Sequence, residues 1–76
     1  MDIDFICKSI NEHLHSSEND DKIYLITKYG KSYKLTYSWH SKKHYDEFIS
    51  IQFMDDNNSE KMADIVIDQI AAIEYH

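Results

Sequence analysis

The stretch Tyr33-Lys34-Leu35-Thr36-Tyr37-Ser38-Trp39 alternates strictly between apolar and polar side chains. Successive side chains of an extended chain point to opposite faces, so the alternation predicts a β-strand with one buried and one wet face. Residues 32–40 form that strand. Before it, residues 22–29 carry Ile23, Tyr24, Leu25 and Ile26 and predict another strand, joined through Gly30 at a positive φ. After it, residues 41–46 read as a loop or hairpin tip. Residues 48–54 predict a third strand, with Ile49, Ile51 and Phe53 on one face and Ser50 and Gln52 on the other. The run Asp55-Asp56-Asn57-Asn58-Ser59 has the composition of a turn. Residues 61–67 give a fourth strand, 68–70 a single tight turn, and 71–75 a short fifth strand.

One helix stands in front. Ile3, Ile6, Cys7, Ile10 and Leu14 recur at three- and four-residue steps, which places them on one stripe of a helix over residues 3–15. Asp2 suits the N-cap, and Asp4 suits the positive end of the helix dipole. Phe5 falls off the stripe and either packs on a neighbouring element or reaches another subunit. Cys7 reads as a small buried hydrophobe. The polar residues 16–21 read as a loop. The fold class is therefore α+β, mainly β, in a single domain over residues 1–76. A helical segment at 1–15 precedes a five-stranded antiparallel sheet at 22–76. So short a sheet must bend strongly to cover its apolar face, and a small barrel capped by the helix is the expected solution. An open sheet with the helix across one face is the competing one.

Composition narrows the setting. A chain of 76 residues buries a modest core, so disulfides, a metal or further copies usually add stability. A single cysteine excludes a disulfide within the chain, which leaves assembly as the expected addition. The lone cysteine and the lack of a basic-then-apolar leader point to a cytoplasmic protein. No apolar run approaches a membrane span, so no membrane partner is expected. All eight basic residues are lysines. Arginine is the residue suited to bidentate readout of phosphates and guanine edges, so sequence-specific nucleic-acid recognition is not favoured. The net charge of −6 is segregated, because residues 22–45 hold six lysines and no acid while both flanks are acidic.

The densest local constellation is Trp39, His40, Lys42, Lys43, His44 and Tyr45 on the expected hairpin tip. With Lys31 in the preceding turn and Lys34 on the strand that leads to the tip, it joins aromatic faces to positive charge, the chemistry that holds nucleotides or RNA without reading sequence. The competing reading closes the barrel mouth with Trp39 and Tyr45 and leaves the lysines solvated. The five histidines lack the spacing of a zinc site, so no metal is expected. No nucleophile–base pair and no phosphate-cradling glycine loop is present, so neither catalytic residues nor a cofactor are expected. Asp55, Asp56, Glu60, Asp64 and Asp68 offer a further reading. Such an acidic face could mimic a phosphate backbone, as small inhibitors from bacteriophages and mobile elements do; the plainer reading is a solvated surface.

Several short patches resemble one family. Phe5-Ile6 in the leading helix, Ile23-Tyr24-Leu25-Ile26, the Gly30-Lys31 turn, Tyr45-Asp46-Glu47-Phe48-Ile49 and the closing Ile70-Ala71-Ala72-Ile73 are together similar to the Sm-like, bacterial Hfq-like small barrels. The resemblance implies an Sm-like or SH3-like barrel and assembly into a homo-oligomeric ring. The family's Tyr-Lys-His element, which binds RNA in the ring's pore, is replaced here by Val66, Ile67 and Asp68. An aspartate there repels phosphate, so RNA in the pore is not implied.

The expected function is a non-enzymatic binding or assembly module that pairs with copies of itself. Phe5, Ile65, Val66, Ile67 and Ile73 are the expected interface, since the last strands are more apolar than a small core needs. Nucleotide or RNA binding at Trp39–Tyr45 and inhibition of a host protein are the alternatives.

Overall fold

A computed structural model describes residues 2–15 and 22–76 of the chain; the loop expected at 16–21 lies outside them. Asp2 starts helix α1 (Ile3–Leu14) by accepting a hydrogen bond from the backbone N–H of Phe5, as its sequence position predicts. Ile3, Cys7 and Ile10 are buried on its inner stripe, and Ile6 and Leu14 pack beside them. Five strands follow: β1 (Ile23–Thr27), β2 (Ser32–Lys43), β3 (Asp46–Met54), β4 (Glu60–Val66) and β5 (Ile70–Tyr75). A 3-10 turn over Ile67–Gln69 joins the last two, in place of a turn at 68–70. The strands form one antiparallel sheet in the order β4-β3-β2-β1-β5. The expected α+β, mainly β class is therefore observed.

Closure is not observed. β4 and β5 stand at opposite ends of the strand order and do not pair, so the barrel predicted from sequence is an open sheet. Ile23, Leu25, Leu35, Ile49, Ile51 and Ile65 form its inner core beneath the helix stripe. Gly30 turns the chain at φ 86, the conformation its place between β1 and β2 requires.

The alternation in residues 33–39 also fails in an instructive way. Tyr33 and Leu35 face the core as predicted, but the ladder with β3 skips Thr36 and resumes at Tyr37. That bulge inverts the phase of everything after it. Ser38 becomes the fully buried residue, while Tyr37 is left 40% exposed and Trp39 half-buried on the outer face. The predicted loop at 41–46 is also absent. β2 runs on to Lys43 and β3 starts at Asp46, so only His44 and Tyr45 turn the chain, with His44 at φ 57.

β1 pairs with β2 only at residues 32–34, whereas β3 pairs with it from Lys34 to Lys43. Among the described residues, most of β2 thus has no strand on the β1 side. Helix α1 runs beside that edge, and Asn11 supplies what a strand would. Its Nδ2 donates to the Ser38 carbonyl at 2.7 Å, and its Oδ1 accepts from the Ser38 N–H at 3.1 Å and from the Ser38 hydroxyl at 3.3 Å. One side-chain amide therefore satisfies both backbone groups of a residue with no exposed surface. Leaving such groups unpaired costs roughly 1–3 kcal/mol. Asn11→Ala should accordingly lower unfolding stability by about 2 kcal/mol, measured by urea denaturation; an unchanged midpoint would show that the clamp is dispensable.

Candidate functional site

The strand positions divide the Trp39–Tyr45 constellation between two faces. Trp39 lies on the outer face, its ring centroid 6.1 Å from that of Tyr37. His40 points the other way, toward the helix, with Nδ1 2.9 Å from the Asp4 carboxylate and Nε2 3.7 Å from that of Glu47. Lys43 returns to the outer face and bonds Asp64 at 2.8 Å. Lys42 is exposed, and Tyr45 projects from the turn with 98% of its surface free. On the other hairpin, Lys31 stands 5.0 Å over the Tyr33 ring, and Lys34 is exposed beside Tyr24 and Met54 in the ladder. The eight residues do not converge on one pocket.

The outer face has an order that the sequence concealed. Across β2, β3 and β4 it runs in rows: Tyr37, Gln52 and Met62, then Trp39, Ser50 and Asp64, then Ser41, Phe48 and Val66. Asp64 sits among these side chains, accepting from Lys43 and from the Ser50 hydroxyl at 2.7 Å. The bond from Lys43, followed by that from Ser50, holds the Asp64 carboxyl below its ordinary value. A carboxyl depressed in the folded state stabilises the fold at neutral pH and loses that contribution as pH falls through its folded value. Asp64→Asn should flatten the loss of urea resistance on acidification through and below the carboxylate range. Parallel pH profiles of the two proteins would count against this ion pair.

Other acids are also committed. Asp55 accepts from the backbone N–H groups of Asn57 and Ser59 at 2.9 and 2.8 Å and pairs with Lys61 at 3.2 Å, so it builds its own turn. Glu60 accepts from the Thr36 hydroxyl. Asp68, with Asp46 and Glu47, lines an open cleft of about 250 Å³ under Tyr45. Among the described residues no three His, Cys, Asp or Glu side chains converge as metal ligands. Cys7 is buried, and that burial pushes its thiol above the ordinary value, which lowers its nucleophilicity at neutral pH. Among the described residues no helix is long and apolar enough to cross a membrane.

The sheet edges remain. Ile65, an expected interface residue, is buried in the protomer's own core, and Phe5 is exposed on the helix instead of the sheet. Val66 is 41% exposed at the end of β4, and Ile67 and Ile73 are half-covered at the margin of the core. Met62, absent from the sequence expectation, is 63% exposed on β4.

Which backbone groups are free follows from the alternation of an antiparallel ladder. Ser38 gives its N–H and C=O to Asn11, so its partner Ile51 turns its own toward β4 and meets Ala63. Met62 and Asp64, one step either side, therefore point outward. At the far end, Lys22 and His76 exchange both backbone bonds, at 2.8 and 2.7 Å. By the same alternation Glu74 bonds Tyr24, while Ile73 and Tyr75 point outward. No family model, curated protein or solved structure matches the chain.

Proposed function

We propose that the protein is a non-enzymatic assembly module whose copies join through their sheet edges. One observation carries this reading: among the described residues β4 and β5 each leave one edge without a strand, and β5 is guarded only by a single charge and an irregularity in its ladder with β1. Folded proteins protect edge strands with lysines, prolines, bulges or coverings, because an open row of donors and acceptors recruits another strand. β5 reads Ile70-Ala71-Ala72-Ile73-Glu74-Tyr75, with one charge and no proline. Ala71 and Ala72 are exposed, and Ile73 is only half-covered. A strand laid against this edge would satisfy the outward groups of Ile73 and Tyr75 and extend the core past its margin. Small size points the same way, since a short chain gains most from burying further apolar surface between copies.

Proline distinguishes edge pairing from general stickiness. At Met62 the N–H points away from β3, so Met62→Pro removes a donor that the protomer does not use; at Ala63 the N–H is in the ladder. Native protein at micromolar concentration should scatter light as a multiple of its 9.1 kDa chain mass. Met62→Pro should keep the circular dichroism of the native fold yet scatter as a monomer, whereas Ala63→Pro should unfold. Native protein that stays monomeric would remove the reading; a Met62→Pro variant that assembles undiminished would take β4 out of the joint.

A further inference from the structure

Resting on that reading, we propose that the copies join head to tail: β4 of one adds antiparallel to β5 of the next, with Met62 opposite Ile73 and Lys61 opposite Glu74. The bond pattern limits the choices. Directly opposed residues in an antiparallel pair either exchange bonds or face each other without them. Met62 and Asp64 on β4, and Ile73 and Tyr75 on β5, are the outward groups, so an antiparallel joint must set these against each other. Three successive registers, with Ile73 opposite Glu60, Met62 or Asp64, keep that phase.

Charge separates them. With Met62 opposite Ile73, two apolar side chains meet, Ala63 lies opposite Ala72, and Lys61 faces Glu74. Sliding two residues one way sets Met62 against Tyr75 and Asp64 against Ile73, with Glu74 facing Ala63. Sliding the other way sets Glu60 against Ile73 and leaves Lys61 facing Ala72. Only the first places opposite charges together and keeps carboxylates off Ile73, and cross-strand pairs of that kind are mutually favourable.

Two-fold joints fare less well. Pairing β4 with itself about Met62 sets Glu60 against Asp64. Pairing β5 with itself about Ile73 is free of repulsion, but it leaves both β4 edges bare, whereas the head-to-tail joint uses both edges of every copy. A head-to-tail joint does not stop at two copies; it closes into a ring or extends as a filament.

A charge exchange tests the register. Lys61→Glu and Glu74→Lys each place like charges opposite one another at the joint, and both sites are on exposed edge strands. Each single variant should raise the midpoint concentration of assembly by about three- to tenfold, read by sedimentation velocity. The double variant should return to within roughly twofold of the native protein, because its opposed pair is restored with signs reversed. Circular dichroism confirms folding of each variant. Lys61→Gln and Glu74→Gln, which remove charge without repulsion, provide a second pair should a reversal unfold the chain; each should weaken assembly less than its reversal. A monomeric native protein overturns both this register and the assembly reading. An assembling protein whose single variants are unaffected, or whose double variant is not restored, overturns the register and leaves assembly standing. A native protein that stops at a dimer overturns the head-to-tail joint in favour of a two-fold one.

Discussion

The sheet depends on one side chain from outside it. β2 is the longest of the described strands, and beyond residue 34 it has a strand neighbour among the described residues on only one side. Asn11 fills the vacancy by presenting an amide with the same donor–acceptor spacing as a peptide unit. Ser38 is thereby held as part of a ladder without a strand beside it. The helix is therefore fixed to the sheet by directional bonds as well as by Ile3, Cys7 and Ile10. That matters in a chain with few core residues, because apolar contact alone tolerates sliding and hydrogen bonds do not.

The same clamp decides how the outer surface is dealt out. The skip at Thr36 rotates Tyr37 and Trp39 away from the core and turns Ser38 inward, where Asn11 is waiting. The bulge and the clamp are two parts of one arrangement. Without the bulge, Ser38 would face solvent and Asn11 would have no partner. With it, Trp39, Phe48, Met62 and Val66 share an outer face with the Lys43–Asp64–Ser50 network. The edge groups of β4 inherit their outward direction from Ser38 through Ile51 and Ala63. The clamp at Asn11 is thus in phase with the amides of Met62 and Asp64 that face away from the sheet, two strands from β2.

Much of the fold was legible because it is written in local pattern. The helix stripe, the Asp2 cap, the Gly30 turn, the number of strands and the antiparallel class each rest on a few adjacent residues. Closure and the inversion within β2 were not legible. A bulge leaves no mark in a sequence whose apolar residues would also suit an unbroken strand, and Thr36 is an unremarkable strand residue. Asn11 sits 27 positions from Ser38, beyond the reach of any periodicity argument. The Trp39–Tyr45 set looked like one site because its residues are consecutive, yet two consecutive residues on a strand face opposite ways. Extending β2 to Lys43 was enough to separate them. Of the apolar residues expected at an interface, Ile65 lies in the core, Val66 and Ile73 stand at its margins, and Met62, which no apolar run singled out, is the more exposed residue on β4.

Amide hydrogen exchange at Ser38 reads the Asn11 clamp at the group it holds. Among the described residues no strand lies on the side to which the Ser38 N–H points, so an unclamped amide there would exchange at the rate of an exposed edge. If Asn11 holds it, that amide exchanges as slowly as those in the ladder between β2 and β3, and slows no further as the protein is concentrated. Rapid exchange at Ser38 in otherwise protected protein would show that Asn11 does not hold the edge of β2.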